Sequence, residues 1–255
     1  MRNKKEFAVT AQSTPPSGLL IQSSEPKTMP SPLELQQRYL ELQTADVNCA
    51  LSRLKEETQL LDLRIKPLRF GMRCAGLAVT WHAVLSNHDT NPTDMPASLR
   101  VKAWEPIYPG CVLVYQPGGD MSTGHLGNLF SNMVHSRGAT GAIVDGNVRD
   151  AYGHTRIDNW SPFARGASPL EAAPYLKWME PNTPILMSGE LRRYISVHPG
   201  DMVLADGDGV IIVPKKLIMP VLLKAEEIRN KEVPAEKEYA AGADPVAVMK
   251  KYGAV

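Results

Sequence analysis

Arg149 and Asp150 stand side by side at the end of an apolar run, in the string Asp145-Gly146-Asn147-Val148-Arg149-Asp150. A guanidinium beside a carboxylate can hold a small anionic, oxygen-rich ligand. The planar fork of Arg149 suits a carbonyl and a carboxylate together, and Asp150 can anchor a hard divalent cation. A lone carboxylate suits Mg²⁺ or Mn²⁺, which keep several waters and accept one or two protein oxygens. Taken alone, two such residues read as a surface ion pair after a strand. Their surroundings give them chemistry. Upstream, Pro117-Gly118-Gly119-Asp120 and then Ser122 or Thr123 supply a turn and a helix start, where backbone N–H groups can meet an anion.

The elements that must position these residues follow from periodicity. Residues 111–115 form an apolar, partly β-branched run closed by Pro117-Gly118-Gly119-Asp120, which reads as a buried strand and a turn. Propensity places a helix cap at Ser122 or Thr123, with the helix continuing to about Arg137 and stopping at Gly138. Residues 141–144 form a second buried strand. Strand, crossover and strand make a βαβ unit, so both loops open at the carboxyl ends of parallel strands, where open α/β sheets place ligands.

The rest of the chain sets the frame. Of the 255 residues, 43% are hydrophobic and 22% charged, as in ordinary globular proteins. A formal net charge of +1, with basic residues scattered, leaves no electrostatic footprint for nucleic acid. No run approaches the roughly 18 apolar residues of a membrane span. The basic start, Met1-Arg2-Asn3-Lys4-Lys5, has no apolar core after it, and Cys49, Cys74 and Cys111 are odd in number and widely spaced. They read as reduced, buried thiols, and the chain as cytoplasmic.

Residues 1–32, rich in Ser, Thr and Pro, read as a flexible extension. Residues 33–232 read as one α/β domain, and 233–255 as a tail with a short helix. Residues 33–54 carry a helical apolar stripe with Thr44 as a cap, and 76–84 a strand. Residues 87–96 are polar and turn-rich. Asp206-Gly207-Asp208-Gly209 between two apolar runs signals a hairpin, and an amphipathic helix follows from Pro214 to about Lys231. Many short strands with few long helices predict stacked sheets with helices outside.

The string from Arg137 to Asp150, RGATGAIVDGNVRD, resembles the signature of the aldolases acting on 4-hydroxy-4-methyl-2-oxoglutarate and 4-carboxy-4-hydroxy-2-oxoadipate. That family also contains the regulator of ribonuclease activity A. The likeness extends to Thr44-Ala45-Asp46-Val47, Pro199-Gly200-Asp201 and Ala205-Asp206-Gly207-Asp208-Gly209-Val210. It implies a swivelling β/β/α fold, homotrimers or homohexamers, and metal-dependent cleavage of a C–C bond beside a 2-oxo acid. Such a lyase releases pyruvate by retro-aldol cleavage or by oxaloacetate decarboxylation. The alternative is a non-enzymatic binding protein like the ribonuclease regulator, which has no use for the metal carboxylate that Asp150 offers.

The resemblance assigns the metal to Asp150, the keto acid to Arg149, and the substrate carboxylate to the turn Gly127-Asn128-Leu129. This turn conflicts with a cap at Ser122 or Thr123. Without the resemblance, Gly127 reads equally well as a close helix contact. Asn128 departs from the acidic residue of many relatives, and it cannot act as a base, although it can hydrogen-bond substrate or a metal-bound water. Retro-aldol cleavage needs a base for the C4 hydroxyl; decarboxylation needs none at that step. His125 stands in the same segment as a candidate proton carrier, against the commoner structural role of a lone His. Asp120 and Asp145 read first as turn and strand-end residues, and Trp160 and Phe163 as core.

Overall fold

Alternation of side chains along the strands sorts the apolar residues onto two faces, and that sorting builds the layers. The computed structural model describes residues 29–86 and 97–253. Pro32–Leu40 (α1) and Thr44–Arg53 (α2) lead to Gln59–Leu60 (β1), Lys66–Pro67 (β2) and the long Cys74–Leu85 (β3). Ala97–Trp104 (α3) precedes the central unit of Cys111–Pro117 (β4), Gly124–Leu126 (β5), Asn128–Ser136 (α4) and Gly141–Val148 (β6). Ala151–His154 (α5), Ser161–Ala167 (β7) and Leu176–Trp178 (β8) follow. Two hairpins come next, Ile185–Ser188 (β9) with Tyr194–Val197 (β10), then Met202–Ala205 (β11) with Val210–Val213 (β12). Ile218–Ala240 (α6) and Pro245–Tyr252 (α7) close the described chain.

The main sheet runs β1-β12-β11-β3-β4-β6-β7-β2, with β5 joining β6 and β8 joining β3. Its centre, β3-β4-β6-β7, is parallel, as the βαβ reading requires. Val112, Val114, Ile143 and Phe163 on one face pack against Ile185, Met187, Ile195 and Val197 of the β9–β10 hairpin. Leu113, Tyr115 and Val144 on the other face lie with Val134 of α4 and Ala103 of α3. Farther along that face, Met202, Leu204, Ile211 and Val213 pack under α1, α2 and α6. The result is the expected β/β/α layering.

Several boundaries differ from the sequence reading. The helical stretch 33–54 is two helices, and α2 is entered through Gln43, not Thr44. Thr44 instead gives its N–H and hydroxyl to the carboxylate of Asp206, 2.8 Å each, tying α2 to the β11–β12 turn. The last long helix runs to Ala240 through Pro234 rather than ending near Lys231. Pro234 removes one helical hydrogen bond. Docking of α7 on the later turns offsets this, with Tyr252 donating to Glu238 at 2.7 Å. Cys74 and Cys111 are buried as expected, but Cys49 is exposed on α2. The expected N-terminal extension up to residue 28, and residues 87–96, lie outside the described residues. Among the described residues no helix is long and apolar enough to cross a membrane.

Candidate functional site

Arg149 and Asp150 follow the last residue of β6, at the carboxyl edge of the parallel strands. Asp150 is left-handed, at φ 60° and ψ 41°, and turns the chain into α5. Asp is among the few side chains that tolerate this conformation. Its Oδ2 accepts from the N–H of Asn128 at 3.2 Å and lies 3.7 Å from Arg149 Nε. Arg149 Nη1 is 3.7 Å from Glu171 Oε1. These contacts are loose, and the Arg149 and Asp150 side chains keep 36% and 42% of their surface exposed.

The loop before α4 corrects the expected helix cap. Asp120 Oδ1 accepts from Ser122 N and Oγ, at 2.9 and 2.6 Å, and its Oδ2 accepts from Thr123 N at 3.2 Å. Ser122 and Thr123 are therefore held in an Asx-type turn, not at a helix start. Burial pushes the Asp120 carboxyl up, but the bonds from Ser122 and Thr123 outweigh it and hold it down at about 2. The chain then forms β5 beside the end of β6, and the helix begins only at Asn128, with Gly127 as a cap that brings no side chain. Space is short at both glycines, more so at Gly124. A Cβ on Gly124 would lie 2.8 Å from Arg149 Cβ, and one on Gly127 would lie 3.0 Å from Asp150 Oδ2. Gly138, at φ +101°, follows the helix as the expected stop.

Two histidines organise this edge. His154, in α5, is fully buried and carried no sequence signal. Its Nε2 lies 3.0 Å from Leu126 O and 2.8 Å from Arg149 O, while Nδ1 faces Ser131 Oγ at 3.1 Å and Trp160 Nε1 at 3.3 Å. Trp Nε1 only donates, so Nδ1 accepts and the proton sits on Nε2. His154 thus ties both site loops together as a neutral ring, and burial lowers its pKa against the opposing carbonyls. His125 has the same tautomer, with Nε2 3.0 Å from Asp120 O and 3.4 Å from Asp120 Oδ2. Burial lowers its pKa, opposed by those Asp120 groups. Its Nδ1 is buried without a hydrogen-bond partner among the described residues.

A cavity of about 180 Å³ brings together Gly127, Leu129, Arg149 and Asp150, with His125 at its wall. Asn128 does not line it. Asn128 and Asp150 border a second, wider cleft of about 620 Å³, with Asn132, Tyr152 and Arg156. Asp150 therefore stands between the two. Glu171, Arg156 and the aromatic wall of the smaller cavity were not singled out in the sequence. Glu171 reaches Arg149 only because its backbone bridges to Gly124 across the fold, a contact that linear spacing does not reveal. Trp160 and Phe163 are core residues as read, and Asp145 is buried in an ion pair with Arg165.

Among the described residues no three His, Cys, Asp or Glu side chains gather to hold a metal ion. The described residues thus build no four-ligand Zn²⁺ site. The carboxylates lining the smaller cavity are Asp150, whose two protein contacts both fall on Oδ2, and Glu171. Such a set fits Mg²⁺ or Mn²⁺, which leave most positions to water and to substrate oxygens.

Residues 44–212 match the family model described as RraA-like, Aldolase/RraA. A Halalkalibacterium halodurans protein named "Putative 4-hydroxy-4-methyl-2-oxoglutarate aldolase" is 30% identical over 152 residues, 60% of this chain and 68% of that protein. Legionella pneumophila DlpA is 25% identical over 218 residues, 86% of this chain but only 33% of its own length. Streptomyces coelicolor RraAS2, described as an unusual member of the RNase ES inhibitor RraA protein family, has the same fold. It gives a TM-score of 0.68 at 24% identity and covers 83% of this chain and 99% of that one.

Proposed function

Since the chain belongs to the RraA-like family, we propose that it is a divalent-metal-dependent lyase that breaks the C–C bond beside a 2-oxo acid and releases pyruvate. The reading is carried by one observation. Gly127, which starts the helix without a side-chain cap of its own, Arg149 and Asp150 line one cavity.

Retro-aldol cleavage and decarboxylation both place negative charge on the C2 oxygen of a pyruvate enolate, and fixed positive groups aimed at that oxygen lower the barrier. Arg149 reaches the C2 oxygen and the substrate carboxylate with its fork. The first turn of α4, at Leu129, offers N–H groups to the same carboxylate. Asp150 would hold Mg²⁺ or Mn²⁺, which would supply polarisation of the keto oxygen. His154, clamping the carbonyls of Leu126 and Arg149, keeps the two loops in register. Leu129 and Tyr152 are strongly exposed beside the site, which suits a cytoplasmic homotrimer or homohexamer whose copies meet there.

The test is pyruvate release from a panel of 2-oxo acids, oxaloacetate included, with Mg²⁺ and after chelation. Activity should require the cation. Asp150→Asn, which tolerates the left-handed backbone but removes the charge, should lose about 100-fold or more, the scale of one lost electrostatic contact to the developing charge. Turnover by Asp150→Asn near that of the parent would overturn the metal assignment.

A further inference from the structure

Beside Arg149 and Asp150, the cavity is lined by the rings of Tyr115, Phe130 and Trp178 and by Leu176. The Tyr115 and Trp178 rings stack at 5.2 Å and 10°, and Trp81 packs edge-on behind Trp178 at 5.4 Å. Trp178 belongs to β8, where it pairs with Ala83 of β3, so the wall is part of the sheet and not a mobile loop. A stacked pair held this way is a preformed surface for another flat ring.

The charges point the same way. Among the described residues Arg149 is the one Lys or Arg lining this cavity, and Asp150 and Glu171 already flank it at 3.7 Å each. His125 turns its N–H to the Asp120 carbonyl, leaving Nδ1 as a buried lone pair. The Asp120 carboxylate stands 3.4 Å behind the ring. A second substrate carboxylate in this cavity would meet two acids, an acceptor nitrogen, no unshared cation among the described residues and, as a single donor, the unpartnered Tyr115 hydroxyl. The neighbouring cleft does contain Arg156, but neither Gly127 nor Arg149 borders it.

We propose that the substrate is a 2-oxo monocarboxylate whose C4 substituent is flat, apolar and uncharged, an aryl group, seated against Trp178 and Tyr115 while Arg149 holds the keto-acid end. This rests on the lyase reading above and names its substrate class. For such a 4-hydroxy-2-oxo acid the C4 hydroxyl gives up its proton and the C3–C4 bond breaks. The bonding pair passes to C3 as the enolate of pyruvate, C4 leaves as an aryl aldehyde, and C3 then takes a proton.

The experiment compares 4-hydroxy-2-oxo-4-phenylbutanoate, cleaved to pyruvate and benzaldehyde, with 4-hydroxy-2-oxoglutarate, cleaved to pyruvate and glyoxylate. The full chain is used at saturating Mg²⁺. The phenyl substrate should have at least a tenfold higher kcat/KM. Trp178→Ala should shrink that ratio at least fivefold, and Trp178→Phe should restore most of it. Binding is read separately by thermal protection with two uncleavable ligands, 4-phenyl-2-oxobutanoate and 2-oxoglutarate. The phenyl compound should protect at the lower concentration. Equal or reversed preference in both assays overturns the proposal, as does a ratio unmoved by Trp178→Ala. If no 2-oxo acid is turned over, oxaloacetate included, while the phenyl ligand still binds more tightly, the lyase reading falls and the cavity's preference stands.

Discussion

Two Arg–Asp pairs stand at the carboxyl edge of the same sheet, and they are built for opposite purposes. On the face covered by the β9–β10 hairpin, Arg165 Nε meets Asp145 Oδ1 at 2.7 Å and Arg165 Nη1 meets Asp62 Oδ2 at 3.0 Å. Their side chains are 5–10% exposed, and Asp145 Oδ2 also takes the Ser188 N–H at 2.6 Å. The Arg64 guanidinium, backed by Arg165, holds the Asp62 carboxyl far below the usual carboxylate range. Both oxygens of Asp145 and both of Asp62 have partners. On the helix-covered face, Arg149 and Asp150 stay 3.7 Å apart and over a third exposed, and one Asp150 oxygen has no partner among the described residues. The closed pair fixes a hairpin. The open pair keeps its valences for a ligand.

This contrast can be broken by removing one arginine at a time. Arg165→Ala leaves the buried Asp145 carboxylate without its counter-charge, while Asp62 keeps Arg64, and should destabilise the fold by roughly 3 kcal/mol. Arg149→Ala removes a partly solvated cation and should cost about 0–1 kcal/mol. Urea denaturation of both variants measures the difference. Activity should then rank differently, because folded Arg149→Ala should be the inactive one. Equal loss of stability in the two variants would erase the distinction.

Much of the open site is legible in the sequence, and the closed one is not. The strands around Val112 and Ile143 announce themselves as apolar runs between glycines, and the Arg149-Asp150 pair follows by position. Local propensity failed at Ser122 and Thr123. The same hydroxyls that cap helices also close an Asx turn, and Asp120, two and three residues earlier, captured them. Asp145 was visible only as a strand end, because its partners Arg165 and Ser188 arrive from β7 and β9, which no spacing rule connects to it. His154 was hidden for the same reason. Its four partners come from β5, α4, the residue after β6 and the turn before β7.

A smaller effect probes the open side by pH. His82, in one cleft with Asp145 and Arg165 and with its pKa also lowered by burial, adds a contribution from the closed side. His125 and His154 both lie on the open side, and both have pKa values lowered mainly by burial. The unfolded chain binds protons at these rings below about pH 6.5, and the folded chain does so only at lower pH. Their contribution is therefore complete above pH 6.5 and is lost as pH falls below it, by at most about 1.4 kcal/mol per pH unit for each ring. Melting temperature should be flat from pH 8 to 7 and fall toward pH 5. Hydrogen exchange at pH 5.5 should show β5 and α5 opening before β9 and β10. A melting temperature that rises toward pH 5 would contradict both neutral-histidine assignments.

The smallest expected effect, and the sharpest about mechanism, concerns Asn128. Its backbone N–H is bound to Asp150, and its side chain faces the wider cleft, beside Gly153 and on the Arg156 side. If the lack of a base here limits aldol cleavage, Asn128→Asp should raise cleavage of 4-hydroxy-4-methyl-2-oxoglutarate relative to oxaloacetate decarboxylation. Only cleavage needs the C4 hydroxyl proton removed, and a well-placed general base contributes about 10²- to 10⁴-fold. The gain should be nearer threefold to tenfold, because the side chain borders the neighbouring cleft and a carboxylate there is drawn toward Arg156. The new charge would also strengthen cation binding beside Asp150 and raise both reactions together, so the informative quantity is their ratio at one pH and saturating Mg²⁺. A higher ratio places the proton path on the Asn128 side of Asp150. An unchanged ratio places it on the other side, where His125 presents the one unpartnered ring nitrogen among the described residues of the cavity wall. The ratio in His125→Gln should then fall while that of Asn128→Asp stays level.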